Sequence, residues 1–253
     1  MFICVYGRDV KGRMRMLSDR RQQVLSALIE EYVARAMPVG SRTLTEHYNF
    51  GVSPATIRNE LSALEDEGYI SQPHISAGRV PTDYGYRAFV DRLVEAGLIE
   101  DTADAAKKID ELRNNAQEID DLIARTNEAI SRLTDCLSIV TAPDHTHAHR
   151  MGMSALMRQP EFMYTQSLLP IMQVLEDDTI LFQLLDSSAG DDAPRVNIGS
   201  ENAAEQLRGV SVVAGRYGFG DGEGIVAVIG PTRMDYSKVL QAVRLAVRTL
   251  ADD

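Results

Sequence analysis

Apolar positions along the chain change their period twice. Between Ser18 and Pro38, Val24, Leu25, Leu28, Ile29, Tyr32 and Val33 recur at helical spacing, which predicts an amphipathic helix capped by Ser18 and closed before Pro38. After the Pro38-Val-Gly40 turn, Ser41 can cap a short helix over Arg42 to Tyr48 that turns Leu44 inward, and Asn49-Phe-Gly51 breaks it. Ser53-Pro54 is an N-cap followed by proline at the first helical position, so a third helix starts there. Ile57, Leu61 and Leu64 give it one apolar stripe, and Gly68 stops it. Tyr69-Ile70 opens an extended stretch, and the prolines and glycine of Gln72-Pro-His-Ile-Ser-Ala-Gly-Arg-Val-Pro-Thr82 punctuate a hairpin-like loop.

A second pattern begins at Ile109. Ile109, Leu112, Ala116, Ile119, Ile123, Thr126, Ile130, Leu133 and Leu137 alternate spacings of three and four, the a and d positions of four heptads, among acidic and polar neighbours. One long helix here either pairs with a second copy, through Ile109, Leu112, Ile119, Ile123, Ile130 and Leu133, or lies on its own domain. Phe162 to Leu185 reads as helix interrupted near Pro170. Thereafter the period shortens: Arg195–Ile198, Val210–Ala214 and Gly224–Gly230 are β-branched runs that predict three strands, and Tyr236 to Leu250 is a closing helix that packs on their sheet. Gly218-Phe-Gly-Asp-Gly-Glu-Gly224 is read as a hairpin turn, and Arg233 with Asp235 as a structural pair.

These patterns define an α+β protein in four parts: an N-terminal extension over 1–16 set aside from the fold, with Met14 or Met16 an alternative start; a three-helix module over 17–92; a helical connector over 93–150; and a sheet-containing domain over 151–253. A length of 253 residues suits one or two domains, and no apolar run approaches the roughly 18 residues that span a bilayer. Cys4 and Cys136 lie far apart without metal-type spacing, so both are expected as free thiols, and with no secretory pattern the expected location is cytoplasmic.

The net charge of −11 argues at first against a nucleic-acid partner, because a DNA-binding surface must bring cations to phosphates. The charge is unevenly placed, however. Residues 1–92 carry 12 Lys and Arg against 11 Asp and Glu, and 11 of those cations are Arg; the remainder carries 14 against 26. A near-neutral, Arg-bearing first module is compatible with DNA.

Helix, short helix, glycine-containing turn and capped third helix followed by a short hairpin is the order of a winged helix-turn-helix, whose third helix enters the major groove. The face opposite Ile57, Leu61 and Leu64 offers Ser53, Ala55, Thr56, Arg58, Asn59 and Ser62. Arg58 suits guanine, Asn59 suits adenine, and Ala55 or the Thr56 methyl suits a thymine methyl. The hairpin carries His74 and Arg79, the latter placed to reach backbone or minor groove. The competing readings are a protein-interaction module of the same outline, and an Arg58 that merely pairs with Glu65 or Asp66.

Three long segments decide between them. Pro38-Val-Gly-Ser-Arg-Thr-Leu44, Gly51-Val-Ser-Pro-Ala-Thr-Ile-Arg-Asn-Glu60 and the hairpin segment from Gln72 to Thr82 together resemble the amino-terminal domain of the bacterial HrcA family of heat-inducible transcription repressors. Ile198-Gly-Ser-Glu-Asn202, Val212-Val-Ala-Gly-Arg-Tyr217 and Ile229-Gly-Pro-Thr-Arg-Met-Asp-Tyr236 look like its carboxy-terminal domain, whose fold resembles the GAF class. The resemblance implies a homodimeric repressor on an inverted-repeat operator of chaperone operons, released on stress when chaperonin is drawn away. It carries DNA contact onto Arg42, onto Ser53, Ala55, Thr56, Arg58, Asn59 and Ser62 of the third helix, and onto His74, Ser76 and Arg79 of the wing. Family members usually carry, between the connector and Gly152, a first sheet segment and an inserted dimerisation subdomain, whereas here the chain passes from Pro143 to Gly152 in a few residues, so the GAF-like domain is expected to be truncated.

Asp144-His-Thr-His-Ala-His149 sets three imidazoles at alternate positions, where a strand could turn them to one face and bind zinc or nickel. Without a cysteine, a second cluster or a helical H-x-x-x-H, a polar linker is the preferred reading, and neither metal nor cofactor is expected. No P-loop, nucleophile elbow, H-E-x-x-H or paired-cysteine site points to an enzyme. A small-molecule-responsive regulator that uses the C-terminal domain as its sensor is the remaining alternative to the repressor.

Overall fold

The computed structural model of the chain describes residues 17–74, 77–97, 119–219 and 222–251, which fall into two compact units meeting between Asp91 and Arg92. The extension over 1–16, with Cys4, lies outside the described residues, as do Ile109, Leu112 and Ser76.

The first unit is built from α1 (Asp19–Arg35), α2 (Ser41–His47), α3 (Pro54–Asp66), a ladder of β1 (Ile70–Ser71) and β2 (Val80–Pro81), and α4 (Asp83–Glu95), whose last turn crosses the boundary. Ser18 caps α1 by accepting from Arg21 N at 3.4 Å, and the helix buries Val24, Leu25, Leu28 and Ile29. Ser53 caps α3 by accepting from Thr56 N at 3.2 Å, with Pro54 next in line. Ser41 does not cap α2. It is the first helical residue, Gly40 holds the cap position, and no side chain bonds there.

In the ladder Ile70 faces Pro81 and Ser71 faces Val80, antiparallel, and a further bridge between Val39 and Arg79 ties the hairpin to the α1–α2 turn. Gly78 allows that approach, since a Cβ there would lie 2.6 Å from the Val39 carbonyl carbon. The sequence reading missed α4. It buries Tyr86, Val90 and Leu93 at helical spacing, and Thr82 starts it by accepting from Gly85 N while donating to Gly68 O.

The second unit has α5 (Ile119–Thr134), β3 (Leu137–Thr141), β4 (Ala148–Met151), α6 (Met153–Met157), α7 (Thr165–Glu176), α8 (Asp178–Ser188), β5 (Arg195–Ile198), β6 (Val210–Phe219), β7 (Gly222–Pro231) and α9 (Tyr236–Leu250). The strands form one antiparallel sheet in the order β4-β3-β7-β6-β5. Strand alternation sends Leu137, Ile139, Val212, Ala214, Ile225, Ala227 and Ile229 into a core with α6, α7 and α8. The opposite face carries α5 and α9, to which Ser138 and Ser211 bond through Asn127 O and Tyr236 Oη. The α+β class with a GAF-like sheet domain is the one expected.

Several boundaries differ. The expected connector does not reach 150: residues from Ile119 onward belong to the second unit, and β3 and β4 are strands of its sheet, so a sheet segment does precede Gly152. The heptad run is not one helix to Leu137. Asp135, at φ 50°, ends α5, and Leu137 begins a strand buried along its whole length. Helix α7 runs through Pro170, and the break falls at Asp177, whose carboxylate accepts from Thr179 N and Ile180 N to start α8. The glycine-rich segment does close a hairpin, with Phe219 paired to Gly222.

Three residues of the C-terminal motifs have structural duties. Buried Asn202 offers its amide nitrogen to the Gly199, Leu207 and Val210 carbonyls at 2.9–3.0 Å, and Asp235 caps α9 by accepting from Lys238 N. Arg233 is structural too, but not through the expected Asp235: its guanidinium reaches Glu161 Oε1 at 2.6 Å and Gln159 Oε1 at 2.8 Å, since Asp235 is taken up by the α9 cap.

Cys136 is a free, buried thiol. Burial first, then the neighbouring Asp135 charge, push its pKa up from 9.0 to about 12. Since the thiolate is the reactive form, Cys136 is expected to resist alkylation at pH 8 in the folded protein and to react fully once the chain is denatured, as peptide mapping by mass spectrometry would read. The sign of the linkage follows from the raised value: the contribution is intact below pH 9 and is lost as pH climbs toward 12, because the unfolded chain ionises first.

Candidate nucleic-acid interface

Helix α3 has two faces. Ile57, Leu61 and Leu64 are wholly buried against α1 and α2, while Ala55, Arg58, Asn59 and Ser62, at i, i+3, i+4 and i+7 on the opposite side, are exposed together with Ser53 at the cap. Thr56 is half-buried, its hydroxyl 3.0 Å from Ser53 Oγ, and the Ser62 hydroxyl donates to Arg58 O. No acidic residue occupies the first turn, so the positive end of the helix dipole is left uncompensated on this face.

Acids do crowd the far half of α3, and there each of three has a cation. Glu60 meets Arg21 at 3.1 Å, with Arg20 at 3.9 Å; Glu67 meets Arg21 at 2.7 Å; Glu65 meets Arg79 at 3.0 Å. Arg42, exposed on α2, meets Glu46 one turn along at 3.5 Å and has no other ion pair among the described residues. Among the described residues Arg58 has no ion-pair partner, and it does not pair with Glu65, which Arg79 occupies. Sequence reasoning missed Arg20 and Arg21. The signal was present, in that a helix carrying Glu60, Glu65, Asp66 and Glu67 in eight residues demands cations from its neighbours.

Arg79 differs from expectation. The hairpin position predicts a wing cation free to reach DNA, yet its side chain is only 17% exposed and its Nε donates to Glu65 Oε2 at 3.0 Å. Its backbone exchanges two hydrogen bonds with Val39, so the residue fastens the hairpin to α3 and to the α1–α2 turn at once. Replacing Glu65 with Gln releases this cation, and tighter binding to random-sequence DNA is expected, by a few-fold in a low-salt titration; unchanged non-specific affinity would show that Arg79 remains docked. His74 is exposed on the hairpin.

The dimerisation residues are corrected in part. Ile123 and Ile130 are buried, at 0% and 3%, in the layer that α5 forms with α9, β3 and β4, so their side chains are spent within one chain. Ile119 is half-buried at the start of α5, and Leu133 is exposed at 44%. His147 and His149, assigned to a linker, instead sit at and beside β4, near Asp120.

A winged helix with a bare, donor-rich third-helix face, joined to a domain built on a five-stranded sheet, defines the class of two-domain winged-helix regulators. The family model described as the HrcA protein C terminal domain matches residues 104–240. The heat-inducible transcription repressor HrcA of Streptomyces avermitilis is 32% identical over 92% of this chain and 97% of its own length, and that of Streptomyces albus G is 31% identical over the same shares. The chain belongs to the HrcA family of heat-inducible transcription repressors. A crystal structure of a hypothetical protein at 2.2 Å resolution shares the fold, with a TM-score of 0.79 at 18% identity over 93% of this chain and 98% of that one. The match to the Streptomyces avermitilis repressor runs over 333 positions but takes up 92% of 253 residues, so about 100 of its positions have no counterpart here. No helix among the described residues is long and apolar enough to cross a membrane.

Proposed function

We propose that this chain is a sequence-specific repressor of heat-shock chaperone operons that binds an inverted-repeat operator as a homodimer. The observation that carries the reading is the α3 surface: Ala55, Arg58, Asn59 and Ser62 exposed in one stripe, with Arg58 unpaired among the described residues while Glu60, Glu65 and Glu67 are neutralised by Arg20, Arg21 and Arg79. In the major groove Arg58 can fork onto guanine O6 and N7, Asn59 can bond adenine, and Ala55 can contact a thymine methyl. Ser53 and Thr56 with the helix N-terminus, Arg42, and His74 and Ser76 of the wing are assigned to phosphate or groove edge. Arg79 is assigned to holding the wing in place.

Repression is by occupancy, since two readers on one face of an inverted repeat exclude polymerase, and linking them makes the second contact intramolecular. Residues 93–253 carry a net −12, which repels DNA away from the reader and leaves specific contacts to supply most of the affinity. Release on heat follows, by family resemblance, from withdrawal of the chaperonin that keeps the repressor active. Among the described residues, one cleft between α8 and the 202–207 segment, lined by Ile180, Ser187 and Ala204, holds about 220 Å³, smaller than the roughly 300–1,000 Å³ of ligand pockets, and this cleft lends the sensor alternative no support.

The test is selection from a random duplex pool with the full chain. Enrichment of an inverted repeat is expected. No enriched sequence, or an enriched half-site without its repeat, would remove the dimeric-operator reading. Addition of chaperonin to the purified chain should raise the fraction competent for that sequence, and an unchanged fraction would remove the titration step.

A further inference from the structure

The Asp144–His149 segment finds no use in DNA binding, and its geometry is independent of that reading. In the sheet register His149 lies opposite Val140, on the face that carries α5, and His147 two residues earlier turns to the same side. The first turn of α5 brings Asp120 to them. One ring nitrogen of each histidine and one Asp120 oxygen all lie within 4.8 Å of one another.

Protons decide what such a cluster is for. Thr146 Oγ1 donates its single hydrogen to Asp144 Oδ1 at 2.7 Å and also lies 2.9 Å from His147 Nδ1. With that hydrogen committed, Oγ1 can only accept from His147 Nδ1–H, so the neutral ring carries its lone pair on Nε2. That nitrogen faces Asp120 Oδ1 at 3.6 Å, one acceptor against another. His149 Nε2 is buried with no hydrogen-bond partner among the described residues. Two acceptors thus face each other with no donor between them, beside a buried His149 Nε2 that no protein group satisfies among the described residues, and a carboxylate–hydroxyl pair already fixes the tautomer of one ring, as outer partners do for metal-bound histidines.

We propose that Asp120, His147 and His149 form a binding site for a divalent transition-metal ion of the zinc class. Two imidazoles and a carboxylate suit Zn²⁺ or Ni²⁺ rather than Ca²⁺ or Mg²⁺, and water completes the shell on the exposed side. Ligands at 2.0–2.2 Å from one ion stand about 3.3 Å apart; His147 Nε2 and Asp120 Oδ1 are already at 3.6 Å, and no pair of the cluster is beyond 4.8 Å, so rotation of the exposed Asp120 and His147 side chains closes the set. The ion joins the start of α5 to the edge strand β4, so it stabilises the second unit wherever it binds the folded chain and not the unfolded one.

The experiment is a zinc titration of the untagged, chelator-stripped full chain in competition with a chromophoric chelator, alongside His147→Ala/His149→Ala and Asp120→Asn. The wild type should take one equivalent and melt at a higher temperature with zinc than without. The double variant should lose at least about 10-fold in affinity together with that rise, and Asp120→Asn should fall between. Cobalt substitution should give visible absorption bands in the wild type alone. A wild type that takes no zinc leaves a plain His147–Asp120 ion pair and overturns the proposal; so does a double variant, folded by circular dichroism, that keeps the equivalent.

Discussion

Replacing Arg58 with alanine is expected to lower affinity for the selected inverted repeat by about 5- to 150-fold per half-site, the 1–3 kcal/mol that a bidentate base contact supplies. The magnitude follows from its surroundings. Arg58 is exposed on α3 and, among the described residues, has no carboxylate to give up, so a guanine gains its full fork with no ion pair to break. Arg79→Ala should act differently. It removes the Glu65 contact and loosens the hairpin, so its loss should come with a lowered melting temperature, which Arg58→Ala should lack. Fluorescence anisotropy and thermal melts on the two variants separate the effects, and equal loss of stability in both would put Arg58 in the scaffold.

The second large effect concerns α5. Ile123→Ala is expected to destabilise the second unit by about 2–5 kcal/mol, the cost of deleting a large apolar side chain from a filled core. Ile123 is wholly buried, and α5 packs on α9, β3 and β4 of its own chain. Were the heptads a coiled-coil seam, the same substitution would weaken association and leave chain stability at high concentration untouched. Urea unfolding at two protein concentrations distinguishes these. Leu133→Ala, at a 44% exposed position on the same helix, should change stability by no more than about 0.5 kcal/mol.

The two modules were unequally legible in the sequence. In the first, α1 and α3 announce themselves locally: Ser18 and Ser53-Pro54 are caps, and Ile57, Leu61 and Leu64 form one stripe, so the reading face of α3 could be named residue by residue, whereas α4, whose starting Thr82 is also the last residue of the hairpin segment, was missed. Ion pairing was not legible, because Arg21 and Glu60 are 39 residues apart and Arg79 and Glu65 are 14 apart, and only tertiary packing brings them together. In the second, Leu137 satisfied a heptad and a strand equally well. The 3-4 spacing of α5 reports one apolar face without saying what covers it, and here a sheet covers it. The histidines failed for a related reason. Alternate spacing predicts a shared face, but the third group of the cluster, Asp120, comes from a helix 27 residues before His147 and is visible only once β4 is laid beside α5.

The central claim is that the exposed stripe of α3 reads base identity. It is tested most directly by measuring the wild type and Arg58→Ala against every single base-pair substitution of one selected half-site. The account predicts that the wild type discriminates at a guanine position by about 1–3 kcal/mol, and that Arg58→Ala loses discrimination at that position while keeping it elsewhere. A uniform fall in affinity across all substitutions, with discrimination intact at every position, would make Arg58 a phosphate contact and contradict the claim.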